Sequence, residues 1–128
     1  MRVDPLSAPG RFLLWFGLLG GPAAWTGEHI VGYGMTEAAC GAGGSAWGIG
    51  LTTWEAVLTA ATAGLVLAAL ASAAVMFRAT RGVHHEGPPP LGRMHFVATA
   101  ALFVATLFLF LTLMAGIGAV ALAGCHQG

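Results

Sequence analysis

Apolar residues run along this chain in three long blocks, separated by two short polar segments. The first block opens at Phe12 and reads FLLWFGLLGGPAAWTGEHIVGYGM. That supplies the run of about 20 apolar residues that a helix needs to cross a bilayer. A glycine-rich segment follows, from Thr36 to about Gly50. The second block extends from Thr52 to Phe77. Next comes RATRGVHHEGPPPLGR, polar and punctuated by Pro88, Pro89 and Pro90. The third block begins near Met94 and reaches Leu122, with a short tail behind it. The pattern predicts an all-α integral membrane protein forming one domain. Helix one covers about 12–34, an outer loop 35–51, helix two 52–77, a cytoplasmic loop 78–93 and helix three 94–122. Gly20-Gly21-Pro22 predicts a kink in helix one, because proline removes a helical hydrogen bond and clashes with the preceding turn. Neighbouring helices or water satisfy such a freed carbonyl inside a membrane.

Composition sharpens this reading. The 128 residues are 57% apolar and only 8% charged, whereas soluble domains carry roughly 25% charged residues. A water-facing surface cannot be covered with so few. There is no lysine and no net charge, which argues against nucleic acid, since phosphate binding needs clustered cations. Orientation follows from the arginines. Arg2 and Arg11 precede span one, and Arg78, Arg81 and Arg93 lie between spans two and three. The opposite segments hold none. The positive-inside rule therefore predicts a cytoplasmic N-terminus and an extracytoplasmic C-terminus, in a multi-pass protein of a bacterial inner membrane. Arg11 before an apolar run also fits the start of a secretory leader, and Glu37 to Gly41 faintly fits a lipoprotein signal. The lipoprotein pattern wants an aliphatic residue where Glu37 stands, and the expectation is an uncleaved first span.

Helices in lipid associate through close packing of small residues. Ala56, Ala60, Gly64, Ala68 and Ser72 recur every four residues on helix two and predict a packing face. On helix three, Phe96, Phe103 and Phe110 lie seven apart and form a bulky side. Lipid exposure and docking to a larger membrane partner both fit that side. The two cysteines, Cys40 and Cys125, fall just outside the membrane at matching depth on the arginine-free side. In an oxidising compartment they predict a disulfide tying the end of helix one to the end of helix three.

Candidate chemistry gathers at the same end. Trp25, His29 and Tyr33 make a stripe on helix one, Glu28 adjoins His29, and Glu55 begins helix two at similar depth. Ionisable residues within a span are costly and usually face protein or water. A structural hydrogen-bonded cluster or partner contact is the leading expectation. A haem or pigment ligated by His29 at a subunit boundary, and a Glu28–His29–Glu55 proton relay, are the alternatives. His95 stands at the cytoplasmic start of helix three and His29 near the outer surface, so the two cannot clamp one haem. His84-His85-Glu86 reads as a solvated loop. No metal set, phosphate-binding loop, CxxC or nucleophile–base pattern is visible, so no enzyme activity is expected.

Gly21-Pro22-Ala23-Ala24-Trp25 followed by His29, Tyr33 and Cys40, with a closing Cys125, resembles a group of small three-helix bacterial membrane proteins. Their first helix reads roughly G-P-x-x-W-x-x-x-H-x-x-x-Y, and their genes tend to lie beside those of haem–copper cytochrome oxidase subunits. The resemblance covers helix one well and the rest through topology and the final cysteine; Glu28 lies outside the group's pattern. It implies association with an aerobic oxidase or its assembly. The expected function is an accessory, non-catalytic subunit of a respiratory cytochrome oxidase or supercomplex, with larger membrane subunits and lipid as partners. No cofactor of its own is expected, beyond lipid, or haem or pigment shared at a boundary. An assembly factor handling copper or haem ranks next, although Met35, Met94, Met114, Cys40, Cys125 and His126 form no dense soft-ligand cluster. A pigment- or haem-binding subunit follows, and a small oligomeric transporter comes last.

Overall fold

The computed structural model describes residues 3–41, 50–84, 86–122 and 125. Three helices form an up-down-up bundle: α1 (Ala8–Cys40), α2 (Leu51–Thr80) and α3 (Leu91–Ala121). α2 and α3, with mean hydropathies of 2.1 and 2.4, are long and apolar enough to cross a membrane. α1 is not among the helices that meet this measure, because Gly17, Gly20, Gly21, Pro22, Glu28 and His29 dilute its apolar run.

α1 is longer at both ends than the apolar block predicts. It starts at Ala8 because the Ser7 hydroxyl accepts from the Gly10 amide at 3.1 Å, and a proline stands in the first turn. That is the usual chemistry of a helix start. At the other end, Thr36-Glu37-Ala38-Ala39 holds nothing that breaks a helix, and the Thr36 hydroxyl donates to the Gly32 carbonyl at 2.9 Å. The expected outer loop therefore starts only after Cys40. The helix also runs without interruption through Pro22.

The interior consists of small residues. On α2 the buried positions include Thr62, Val66, Ala69, Ala73, Met76 and Thr80; on α3 they include Ala98, Ala101 and Ala105. The α2 series alternates steps of four and three, which keeps every member on one side of the helix. The predicted face behaves differently. Ala56, Ala60, Gly64 and Ala68 are exposed, and only Ser72 is buried, with its hydroxyl on the Ala68 carbonyl at 2.8 Å. Four residues turn a helix by about 400°, so a strict every-fourth series drifts by about 40° per step. By Ser72 the series has rotated onto the buried side that Ala56 does not share. The packing face of this bundle is thus the 62–80 series, not the 56–72 series.

Backbones approach where glycines meet α2. A Cβ on Gly17 would lie 3.0–3.1 Å from Ala73, and one on Gly20 would lie 3.1 Å from the Ala69 Cβ. Gly116 of α3 meets the Thr59 side chain in the same way. Substituents there would push helices apart, which explains why α1 carries glycine where most helices carry larger residues. Cys40 and Cys125 are joined in a disulfide, with Cα atoms 5.6 Å apart and a sequence separation of 85. It ties the end of α1 to the chain just beyond α3, as the cysteine placement predicted. Phe96, Phe103 and Phe110 are 63%, 75% and 58% exposed.

Candidate functional site

The three helices run antiparallel in turn, so their charged residues sort by end. Arg11, Arg78, Arg81 and Arg93 share one end with Asp4 and Glu86. Glu28, Glu37 and Glu55 stand toward the other. Among the described residues, the first end therefore holds four arginines against two carboxyl groups. The second has three glutamates and neither Arg nor Lys.

The glutamate end holds an open cleft of about 370 Å³. Two stripes of α1 line it, Glu28-Gly32-Thr36 and His29-Tyr33-Glu37, because residues four apart share a helix face. α2 contributes Glu55, Leu58 and Thr59, and α3 contributes Ala115 and Ala119. Sequence reasoning grouped Glu28, His29, Tyr33 and Glu55, and all four line this one cleft. Trp25 sits beside it instead. Its ring lies 4.0 Å from that of His29 and meets Phe108 edge-on at 5.7 Å.

Glu28 is the deepest member, 8% exposed. Its Oε1 accepts the Thr59 hydroxyl at 2.9 Å across the α1–α2 interface. Its Oε2 is buried and has no hydrogen-bond partner among the described residues. The Trp25 indole nitrogen and the Thr112 hydroxyl share that condition. Most buried polar groups in proteins are partnered, and a missing partner costs about 1–3 kcal/mol, so these three atoms mark an unusual level of the bundle.

His29 is exposed, and its Nδ1 lies 2.9 Å from the Trp25 carbonyl. A carbonyl only accepts, so Nδ1 carries the proton. When the ring is neutral, Nε2 is then the lone-pair nitrogen. Hydrogen bonding of one ring nitrogen to a backbone carbonyl is how ligating histidines are commonly oriented. Tyr33 is 70% exposed, and Glu55 is half-buried.

A second polar cluster occupies the arginine end, and sequence reasoning missed it. Thr80 is fully buried and His95 nearly so. The Thr80 hydroxyl donates to the Met76 carbonyl at 2.9 Å and lies 3.0 Å from His95 Nδ1. One hydroxyl proton cannot serve both bonds. With that proton on Met76, His95 Nδ1–H is the donor to Thr80 Oγ1. The Phe77 ring stacks on the imidazole at 5.3 Å. The signal available was Thr80 in phase with the buried 62–80 series, but His95 follows a polar loop and reads as an interface residue. His29 and His95 fall in separate clusters at opposite ends, as their sequence positions require. Thr59, the partner of Glu28, was also missed; nothing in the sequence says which α2 hydroxyl faces position 28.

Among the described residues, no group of three His, Cys, Asp or Glu side chains converges as a metal ion would require. His84 and Glu86 are exposed. His85, His126 and Arg2 lie outside the described residues. Comparison of the chain with protein-family models, with curated proteins and with solved structures finds no match in any of the three.

Proposed function

We propose that this chain is a three-span protein of a bacterial inner membrane, N-terminus in the cytoplasm, that serves as an accessory, non-catalytic subunit of a larger membrane electron-transfer complex. A respiratory cytochrome oxidase or supercomplex is the partner class that the helix-one resemblance favours. α1 counts as a span through its company. It packs along both membrane-length helices and leaves Phe12, Leu19 and Ile30 more than half exposed on its free side. Apolar side chains so placed are at home in lipid or against another membrane helix.

The observation that carries the subunit reading is the outward small-residue stripe. Ala56, Ala60 and Ala63 of α2, with Leu113, Gly116 and Ile117 of α3, line an open apolar groove of about 520 Å³. Small residues facing lipid gain nothing there, whereas they let a second helix approach closely. The occupant that fits is a transmembrane helix of a larger subunit, seated beside the exposed Phe103 and Phe110. The same groove does not favour an assembly factor, which needs no permanent seat.

Gly64, exposed next to Ala63 at the edge of this groove, makes the test clean. A Cβ there would meet no atom within 4 Å inside this chain. Gly64→Leu should leave the isolated protein as stable as before, yet displace it from cytochrome-containing subunits that co-purify with the native chain in mild detergent. Recovery of the native chain only as a free homo-oligomer would overturn the reading.

A further inference from the structure

We propose that the cleft at the glutamate end binds a primary ammonium group, carried either by an aminophospholipid headgroup or by a free small amine. Acidic and basic side chains are unevenly divided along this chain. Glu28, Glu37 and Glu55 line one cleft, and the sequence places no Arg or Lys anywhere toward that end. His29 is the one basic side chain among the described residues that line the cleft, so three carboxyl groups there face a single imidazole of this chain.

Glu28 defines what kind of cation. A carboxylate is acceptor-only. One oxygen is served by Thr59, while the other is buried and has no donor among the described residues. A ligand that completes Glu28 must donate a hydrogen bond as well as carry charge. A primary ammonium has three N–H donors; a quaternary ammonium has none. The unpartnered oxygen has no exposed surface of its own, so binding requires the carboxyl to turn about its terminal torsion, which is broad in glutamate.

Geometry argues against a bare metal ion. The carboxylates are spread along the cleft, from Glu28 to Glu37 over more than two helical turns, and no three described ligand side chains converge on one point. The cleft, at about 370 Å³, is also far roomier than one ion or water needs. A molecular cation fits better: its ammonium reaches Glu28 and Glu55, and its remainder lies along Gly32, Tyr33 and Thr36. The exposed Tyr33 ring adds a surface that attracts cations.

The lipid source rests on the membrane reading above; the free-amine source does not. The experiment uses the purified, disulfide-intact chain alone in mild detergent, so its outcome is independent of the co-purification test. Native mass spectrometry would read retention of phosphatidylethanolamine, phosphatidylcholine and phosphatidylglycerol of identical acyl chains, with free ethanolamine as competitor. Phosphatidylethanolamine should be retained roughly tenfold better than the other two, as expected for one charge-assisted hydrogen bond. Glu28→Gln, which keeps an acceptor for Thr59, should remove that preference. Glu55→Gln, at the half-buried rim, should weaken it, and carries the test if the first variant loses its helical circular dichroism. Displacement of phosphatidylethanolamine by ethanolamine identifies a headgroup site, and ethanolamine binding without lipid retention identifies a soluble amine; both support the proposal. Equal retention of all three lipids with no ethanolamine binding, or amine binding unchanged in both variants, would overturn it. So would a complete lack of amine binding, which would leave the cleft to a partner protein's lysine.

Discussion

The two ends of the bundle handle buried polar residues in opposite ways. At the arginine end, Thr80 and His95 satisfy one another and the backbone, and Phe77 closes the cluster with a stacked ring. At the glutamate end, Glu28 is just as buried but only half satisfied, and it borders an open cleft. Both places bury an ionisable side chain between helices, so burial alone does not separate structure from site. Completeness of the hydrogen-bond set does. A closed network specifies and rigidifies the packing around it. An open one leaves an acceptor that something else can fill.

The largest expected effect tests whether the ends are mechanically separate. Removing the disulfide with Cys125→Ser frees a crosslink spanning 85 residues. In the chain-entropy model that loop length corresponds to about 4–5 kcal/mol. Unfolding of the purified protein in increasing denaturing detergent should show a loss of that order. Amide exchange should rise first around Glu28 and Glu55, while amides near Thr80 and His95 stay protected. Equal loosening at both ends would erase the distinction drawn here.

A middle-sized effect probes the closed cluster. Thr80→Val conserves shape but strips His95 Nδ1 of its hydroxyl partner, and should cost about 1–3 kcal/mol by the same unfolding measurement. The smallest effect belongs to the open cluster. Glu28→Gln retains the Thr59 bond and replaces an oxygen that lacks a partner among the described residues, so stability should stay within about 1 kcal/mol of the parent. A loss as large as that of Thr80→Val would show Glu28 to be a structural strut like its counterpart.

Much of the architecture was legible because hydrophobic runs of this length have few alternatives. The three helices, the pairing of Cys40 with Cys125, and the gathering of Glu28, His29, Tyr33 and Glu55 all follow from apolar length and from position along antiparallel elements. The ends of α1 were less legible, since capping by Ser7 and continuation through Thr36–Cys40 depend on local chemistry rather than hydropathy. The packing face was misread for a geometric reason. In a helix as rich in alanine as α2, nearly every stripe looks small, so composition cannot choose among them.

The amino-acid sequence by itself determined three apolar helices, their alternating direction, the separation of arginines from glutamates, and which cysteines could meet. Those properties depend only on order along the chain and on the rise of a helix. Tertiary structure alone decided how each helix is rotated about its axis. Gly17 and Gly20 seat α1 on Ala73 and Ala69, and Gly116 seats α3 on Thr59. That rotation buries the 62–80 face of α2, turns the Ala56–Ala68 stripe outward, and sets Thr59 against one oxygen of Glu28. Rotation is fixed by steric fit between particular side chains on different helices, and no pattern within a single helix encodes it.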